Sequence, residues 1–347
     1  MDTVWFDALW EASGADTFAG MLPRDLYTGG GDAVPEAGVL LRTLGGESVL
    51  TRLRTCLFDA ADGALGLMGR MCGVLVLFAV WKKYRTAVRG DDGDLFSGCV
   101  TLVLALLGFR AFADLLLPAK AYFSGIHTMV TTAVTTLTAL SVMRGAVGMA
   151  AVTGGGMALF LAFMETVSAG MLFPFLRICA GLSLASCTGG MGLSGISGLL
   201  RRQFLWLVGA LMMVLCAVLS YQTVLAHAAD SVAMRAVKFT LSGAVPIIGG
   251  AVGEAAATVA AGFSLTRKTV GVLGIAAVLW QLLPTLCTVL LTRLAFSVSA
   301  AAAALLGMSR EEGVLGECAS LTGFLLAVCV ISAILYILML TLCISGG

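Results

Sequence analysis

The chain alternates between long apolar runs and short polar interruptions. A membrane-crossing helix needs about 20 mostly apolar residues. Runs near that length recur at 64–81, 95–117, 121–143, 156–183, 203–226, 239–262, 270–292 and 318–344, with an alanine-rich extension at 294–308. The pattern predicts an all-α, polytopic transmembrane helical bundle of about six to eight spans. Two runs are weaker. Residues 121–143 carry Thr128, Thr131, Thr132, Thr135, Thr136 and Thr138, and residues 239–262 are rich in glycine and contain Pro246. Proline removes a backbone donor, so a break is expected at Pro174 and a helix end at Pro118.

Residues 1–62 differ from the rest. They hold ten acids and four arginines, with Gly29-Gly30-Gly31, Pro23 and Pro35. Short amphipathic pieces are visible at Val4–Trp10 and Val49–Leu57. The expected division is an acidic extracytoplasmic region over 1–62 and a transmembrane domain over 63–347. Orientation follows from basic loops, which stay cytoplasmic. Lys82, Lys83, Arg85 and Arg89 form the densest short basic cluster, and Arg201-Arg202 precede a strong span; both are expected on the cytoplasmic side. The acids Glu311, Glu312 and Glu317 weigh little in that rule.

Composition sharpens the class. Of 347 residues, 59% are hydrophobic and 12% charged, and mean hydropathy is +1.00. A soluble domain carries roughly twice that charged fraction. The 43 glycines suit close helix contacts in a bilayer. A net charge of +1 makes no electrostatic case for nucleic acid. Ten cysteines include no CxxC pair and mostly lie in apolar runs, where cysteine acts as a small hydrophobe. With His127 and His227 as the only histidines, no metal or cofactor is expected. No Ser/His/Asp, His-rich or paired-acid arrangement points to an enzyme.

Charged residues inside apolar runs are candidate functional positions. Arg110 and Asp114 stand four apart on one helix and can pair, as a pathway site or as a self-neutralised structural pair. Glu165 has no neighbour in sequence to neutralise it and is expected to face the bundle interior or a watery cavity. Arg177 can reach it only across a kink at Pro174. The stretch from Lys238 to Glu254 combines Pro246, Gly249, Gly250 and the GxxxG pair Gly249/Gly253. A smooth helix is not expected there, and broken backbone at membrane depth needs protein or water around it. Such interrupted segments mark binding sites in secondary transporters, and they also occur at tight helix crossings.

This stretch resembles the stage III sporulation protein AE family of endospore-forming bacteria. The similarity begins at Ala229-Asp230-Ser231-Val232 and continues through Arg235-Ala236-Val237-Lys238-Phe239 and Val245-Pro246-Ile247-Ile248-Gly249-Gly250. It then takes in Glu254-Ala255 and Thr258-Val259 and closes on Arg267-Lys268-Thr269-Val270-Gly271-Val272-Leu273-Gly274. Where relatives often carry a second acid three positions after the glutamate, this chain has Ala257. Relatives generally begin with a signal peptide, whereas these first residues are acidic and lack its basic and apolar regions.

The resemblance implies a multi-pass protein of the mother-cell membrane around the forespore, without catalytic activity. It implies partners encoded in the same stage III sporulation A operon, including a secretion-type ATPase and ring-forming proteins, together with a forespore membrane protein. Its expected role is a permease-like or export-gate-like part of a channel or feeding apparatus. Asp230, Lys238, Pro246, Gly249, Gly250 and Glu254 are then expected to serve conformation or partner binding. A homo-oligomer is compatible with this, because a lone bundle of this size has little room for a wide pore. The other reading is an autonomous secondary transporter of a small solute.

Overall fold

The computed structural model describes residues 13–14, 17–18, 20, 46–89, 94–189, 193–244 and 249–345. Among the described residues there is no strand. Six long helical elements follow one another: α1 (Gly46–Arg89), α2 (Asp94–Met143), α3 (residues 147–189), α4 (Leu193–Ala244), α5 (Gly249–Leu305) and α6 (Ser309–Ser345). Each contains a stretch long and apolar enough to cross a membrane. The protein is an all-α, multi-pass membrane protein.

The helices run well past one membrane thickness. The 50 residues of α2 correspond to about 75 Å at 1.5 Å per residue, against a hydrocarbon core of about 30 Å. The runs 95–117 and 121–143 are therefore one helix rather than two spans, and Pro118 lies inside it. An interior proline removes one hydrogen bond, at about 3 kcal/mol. Burial of Leu115, Ala119, Tyr122 and Phe123 around it opposes that loss. Pro284 is likewise inside α5. The break expected at Pro246 falls between the described end of α4 at Ala244 and the described start of α5 at Gly249, and lies outside the described residues.

The α3 element is composite. Regular helix over Val147–Ala151, Met157–Glu165 and Phe173–Gly189 alternates with π-helical turns at Val152–Gly156 and Thr166–Leu172. Pro174 thus sits in the first turn of regular helix after a wider turn, where its missing donor and its ring are tolerated. It does not break the element.

Contacts fix the directions. Cys72 Sγ lies 3.9 Å from Ser299 Oγ, and Cys56 clusters with Cys287, so α1 and α5 run parallel. Tyr122 on α2 donates to the Cys329 carbonyl (3.1 Å), and Thr101 donates to Glu311 (2.8 Å), so α2 and α6 run parallel. Ring contacts Phe123–Phe173, Phe160–Tyr336 and Phe175–Phe204 set α3 antiparallel to α2, α6 and α4. The α5–α6 hairpin closes through Gly307, whose φ of +71° favours glycine. Gly271 and Gly274 on α5 let α6 approach closely. A β-carbon at Gly271 would collide with Ile344, and one at Gly274 would stand 3.2 Å from Leu340.

Charge divides the bundle into layers. No Asp, Glu, Lys or Arg occurs over 121–143 of α2, 203–229 of α4, 269–292 of α5 or 318–345 of α6, and 147–176 of α3 holds Glu165 alone. The 23 residues of α2 in this slab span about 35 Å, enough for one bilayer core. Lys120, Arg177, Arg202, Arg293 and Glu317 stand at one boundary. The main core fills the slab around Phe160, Leu137, Leu325 and Tyr336. Phe18 is fully buried in it, from the region expected to stand apart. A second core of Met71, Leu75, Leu104, Phe296 and Leu315 lies beyond the boundary. The C-terminal ends of α1 and α3 and the N-terminal ends of α2 and α4 share that side of the slab, so the two basic clusters expected to be cytoplasmic fall together.

A polar seam between the second and third helices

Glu165 ends the central regular segment of α3, with a π-turn on each side of that segment. Single π-turns inside α-helices recur at functional sites because they re-aim side chains. The Glu165 side chain is 64% exposed, and its Oε2 lies 3.7 Å from Nε2 of His127 on α2, itself 28% exposed. His127, and not Arg177, is therefore its neighbour. The Nδ1 atom of His127 is buried without a hydrogen-bond partner. A proton there would be unpaired, so the neutral ring is best satisfied with its proton on Nε2, facing the carboxylate.

The pair lines an open, mainly apolar groove of about 550 Å³. Thr131, Thr135 and Thr138 line it from α2, and Gly154, Ala158 and Ala162 line it from α3. The threonine hydroxyls donate to their own helix. Thr131 bonds the His127 carbonyl (2.7 Å), Thr135 that of Thr132 (2.8 Å) and Thr138 that of Val134 (2.8 Å). Each hydroxyl is thereby satisfied in apolar surroundings while its lone pairs stay turned to the cleft. Further along the same two helices, the rings of Phe123 and Phe173 meet edge-on at 6.1 Å.

The other expected positions are dispersed. Arg110 and Asp114 are both exposed and form no ion pair with each other. Arg177 is exposed and lines a separate, mainly apolar groove of about 890 Å³ with Lys120, Phe109 and Phe173. Pro246 lies outside the described residues. Gly249, Gly250 and Glu254 open α5, and Lys238 lies near the end of α4; their side chains lie outside the described residues. Asp230 has a clear place. Its Oδ1 accepts from the Gly148 amide at 3.0 Å, in the first turn of α3. A carboxylate suits the unsatisfied donors and positive end of a helix N-terminus. A β-carbon at Gly148 would come within 2.9 Å of that oxygen. At the far end of the similar run, Arg267 donates to the Cys343 carbonyl in the last turn of α6, the negative end of that helix.

A family model for stage III sporulation protein AE matches residues 43–347. The chain belongs to this family. The family match takes in all six helical elements, α1 to α6. No curated protein and no solved structure matches the chain. Within this family member, Asp230 and Arg267 hold helix ends together, which gives both ends of the similar run a packing role.

Two polar contacts escaped the sequence reading. Arg201, expected at a cytoplasmic face, is turned inward and pairs with Glu317 at 2.8 Å. Its guanidinium also donates to Ser197 and Ser320, joining α4 to α6. Glu311, almost fully buried, accepts from Thr101. The only available signal was an acid at the edge of an apolar run, which sequence cannot tell from a solvated one.

Proposed function

We propose that the chain is the polytopic, permease-like or export-gate-like component of the complex that connects mother cell and forespore during stage III of sporulation. In this reading it sits in the mother-cell membrane around the forespore. It works with the other proteins of the stage III sporulation A operon and a forespore membrane partner. Family membership supports the sporulation role.

The outer face of α1 supports membership of a larger assembly. Arg54, Asp59 and Asp62 are exposed there, and neighbouring Arg52 stacks over Trp280 at 5.4 Å, beside the charge-free part of α5. Exposed charges at that depth are costly against lipid tails, so protein or water covers this face. The test is an in-frame deletion complemented in turn by wild type, by Glu254→Ala and by Asp59→Leu/Asp62→Leu. The expected result is arrest after engulfment, rescue by wild type, and failure of the double variant to co-purify partners while staying in the membrane. Normal spores from the deletion strain would overturn the proposal.

The second reading, an autonomous secondary transporter, draws on the His127–Glu165 seam. It requires solute flux by the purified protein alone in proteoliposomes, lost on Glu165→Gln.

A further inference from the structure

We infer that the outer face of α1 docks into the α2–α3 groove beside Lys120 and Arg177 of a second copy of this chain. The inference rests on the reading that protein covers α1, and it names that protein and the surface it offers.

Charge and depth supply the first argument. Cys56 and Cys72 of α1 pack beside Cys287 and Ser299 of α5, on either side of Arg293 at the slab boundary. Asp62 therefore stands near the level of that boundary, where Lys120 and Arg177 line the groove. Copies in one bilayer share their depth, so the acid of one meets the cations of the next at the same height. Further from the slab the signs reverse on both surfaces. Arg70 follows Asp62 by eight residues, about 12 Å of helix, and Asp114 stands six residues from Lys120, about 9 Å. All five side chains are exposed, and none forms an ion pair among the described residues.

Shape supplies the second argument. Gly66, Gly69 and Gly73 share the exposed side of α1 with Asp62, opposite the buried Ala60, Ala64, Met71 and Leu75. A β-carbon at any of these three glycines would meet nothing within 4 Å. Small residues serve close helix contacts in a bilayer, and within a single copy no helix fills that space. The groove is the complementary shape. It measures about 890 Å³, is walled mainly by apolar side chains such as Phe112, Leu116, Phe173 and Ile178, and has no acid in its lining. From Lys120 to Phe109 it follows eleven residues of α2, the same length of helix as Asp62 to Gly73, about 16 Å.

The choice of occupant follows from both surfaces together. An anionic lipid would satisfy Lys120 and Arg177 but leave Asp62 and the bare glycines of α1 unmatched. A second copy matches both. No residue of α1 lines the groove, so one copy can give its α1 and receive a neighbour's at once. Such a contact is head-to-tail, and it builds a ring when the rotation closes.

The test uses the full-length protein in membranes, with two differently tagged copies co-expressed and photoreactive benzoylphenylalanine in place of Leu117 in one of them. Leu117 is 72% exposed in the groove. The expected product carries both tags and joins position 117 of one copy to an α1 peptide of the other, read by peptide mass mapping. Gly66→Leu/Gly69→Leu should abolish it with the melting temperature unchanged, because a single copy has room for both side chains. Asp62→Lys should lower the yield at least about tenfold, since like charges then face each other across the contact, and Lys120→Asp/Arg177→Asp in the same chain should restore it. Crosslinks to lipid alone, to another protein alone or within one copy would each overturn the inference. So would a two-tag product that survives the glycine variant, or a charge reversal without rescue. The deletion phenotype is read separately, so the inference and the proposed function can each fail alone.

Discussion

At the scale of single residues, polar groups inside this bundle are tolerated where a neighbouring helix answers them. Arg201 is the clearest case. Its side chain is 6% exposed, and it meets Glu317 together with two serines. Removing one partner of a buried pair leaves the other uncompensated, which costs about 3 kcal/mol or more. Glu317→Gln is therefore expected to lower the melting temperature in detergent clearly. The double change Arg201→Met/Glu317→Leu should recover most of the loss, because it removes both desolvation penalties. Equal destabilisation by the double variant would show that the pair is net stabilising in its own right. The threonines of α2 need no neighbouring helix, each donating to a carbonyl of its own helix.

At the scale of elements, the π-turns of α3 are the distinctive local feature. A π-turn is in effect one extra residue in an α-helix, so deleting one residue there restores regular helix while keeping both flanks in register. Deleting Gly170, in the turn Thr166–Leu172, is expected to leave a folded, monodisperse protein with altered seam geometry. Deleting Ala277 should not be tolerated, because it rotates the rest of α5 by about 100° against the closely packed α6. Size-exclusion profiles of the two variants decide this, and aggregation of both would argue that the turn at 166–172 is fixed by packing.

At the scale of the whole molecule, the antiparallel order of the helices makes a topological prediction. The C-terminal ends of α1 and α3 and the N-terminal ends of α2 and α4 lie at one end, and the turn at 144–146 lies at the other. Reporter fusions after residues 91 and 145 should therefore report opposite sides, with the first cytoplasmic because of Lys82 and Lys83. The same side for both fusions would contradict the hairpin order.

The division between sequence and tertiary structure follows from what each interaction depends on. Membrane residence and all-helical class were legible in the sequence, because both depend on the length and apolarity of runs along the chain. Glu165 was legible as an isolated acid in an apolar run, a local property, but not the exposed place its side chain takes beside His127. Pro118 was misread as a helix end, because burial of its neighbours against other helices outweighs a missing hydrogen bond. The partners of Glu165, Arg201, Glu311 and Asp230 lie between 38 and 210 residues away in the chain. Only packing of α3, α4 and α6 against their neighbours could select them, because a charge in an apolar run demands a partner but does not specify which helix provides it.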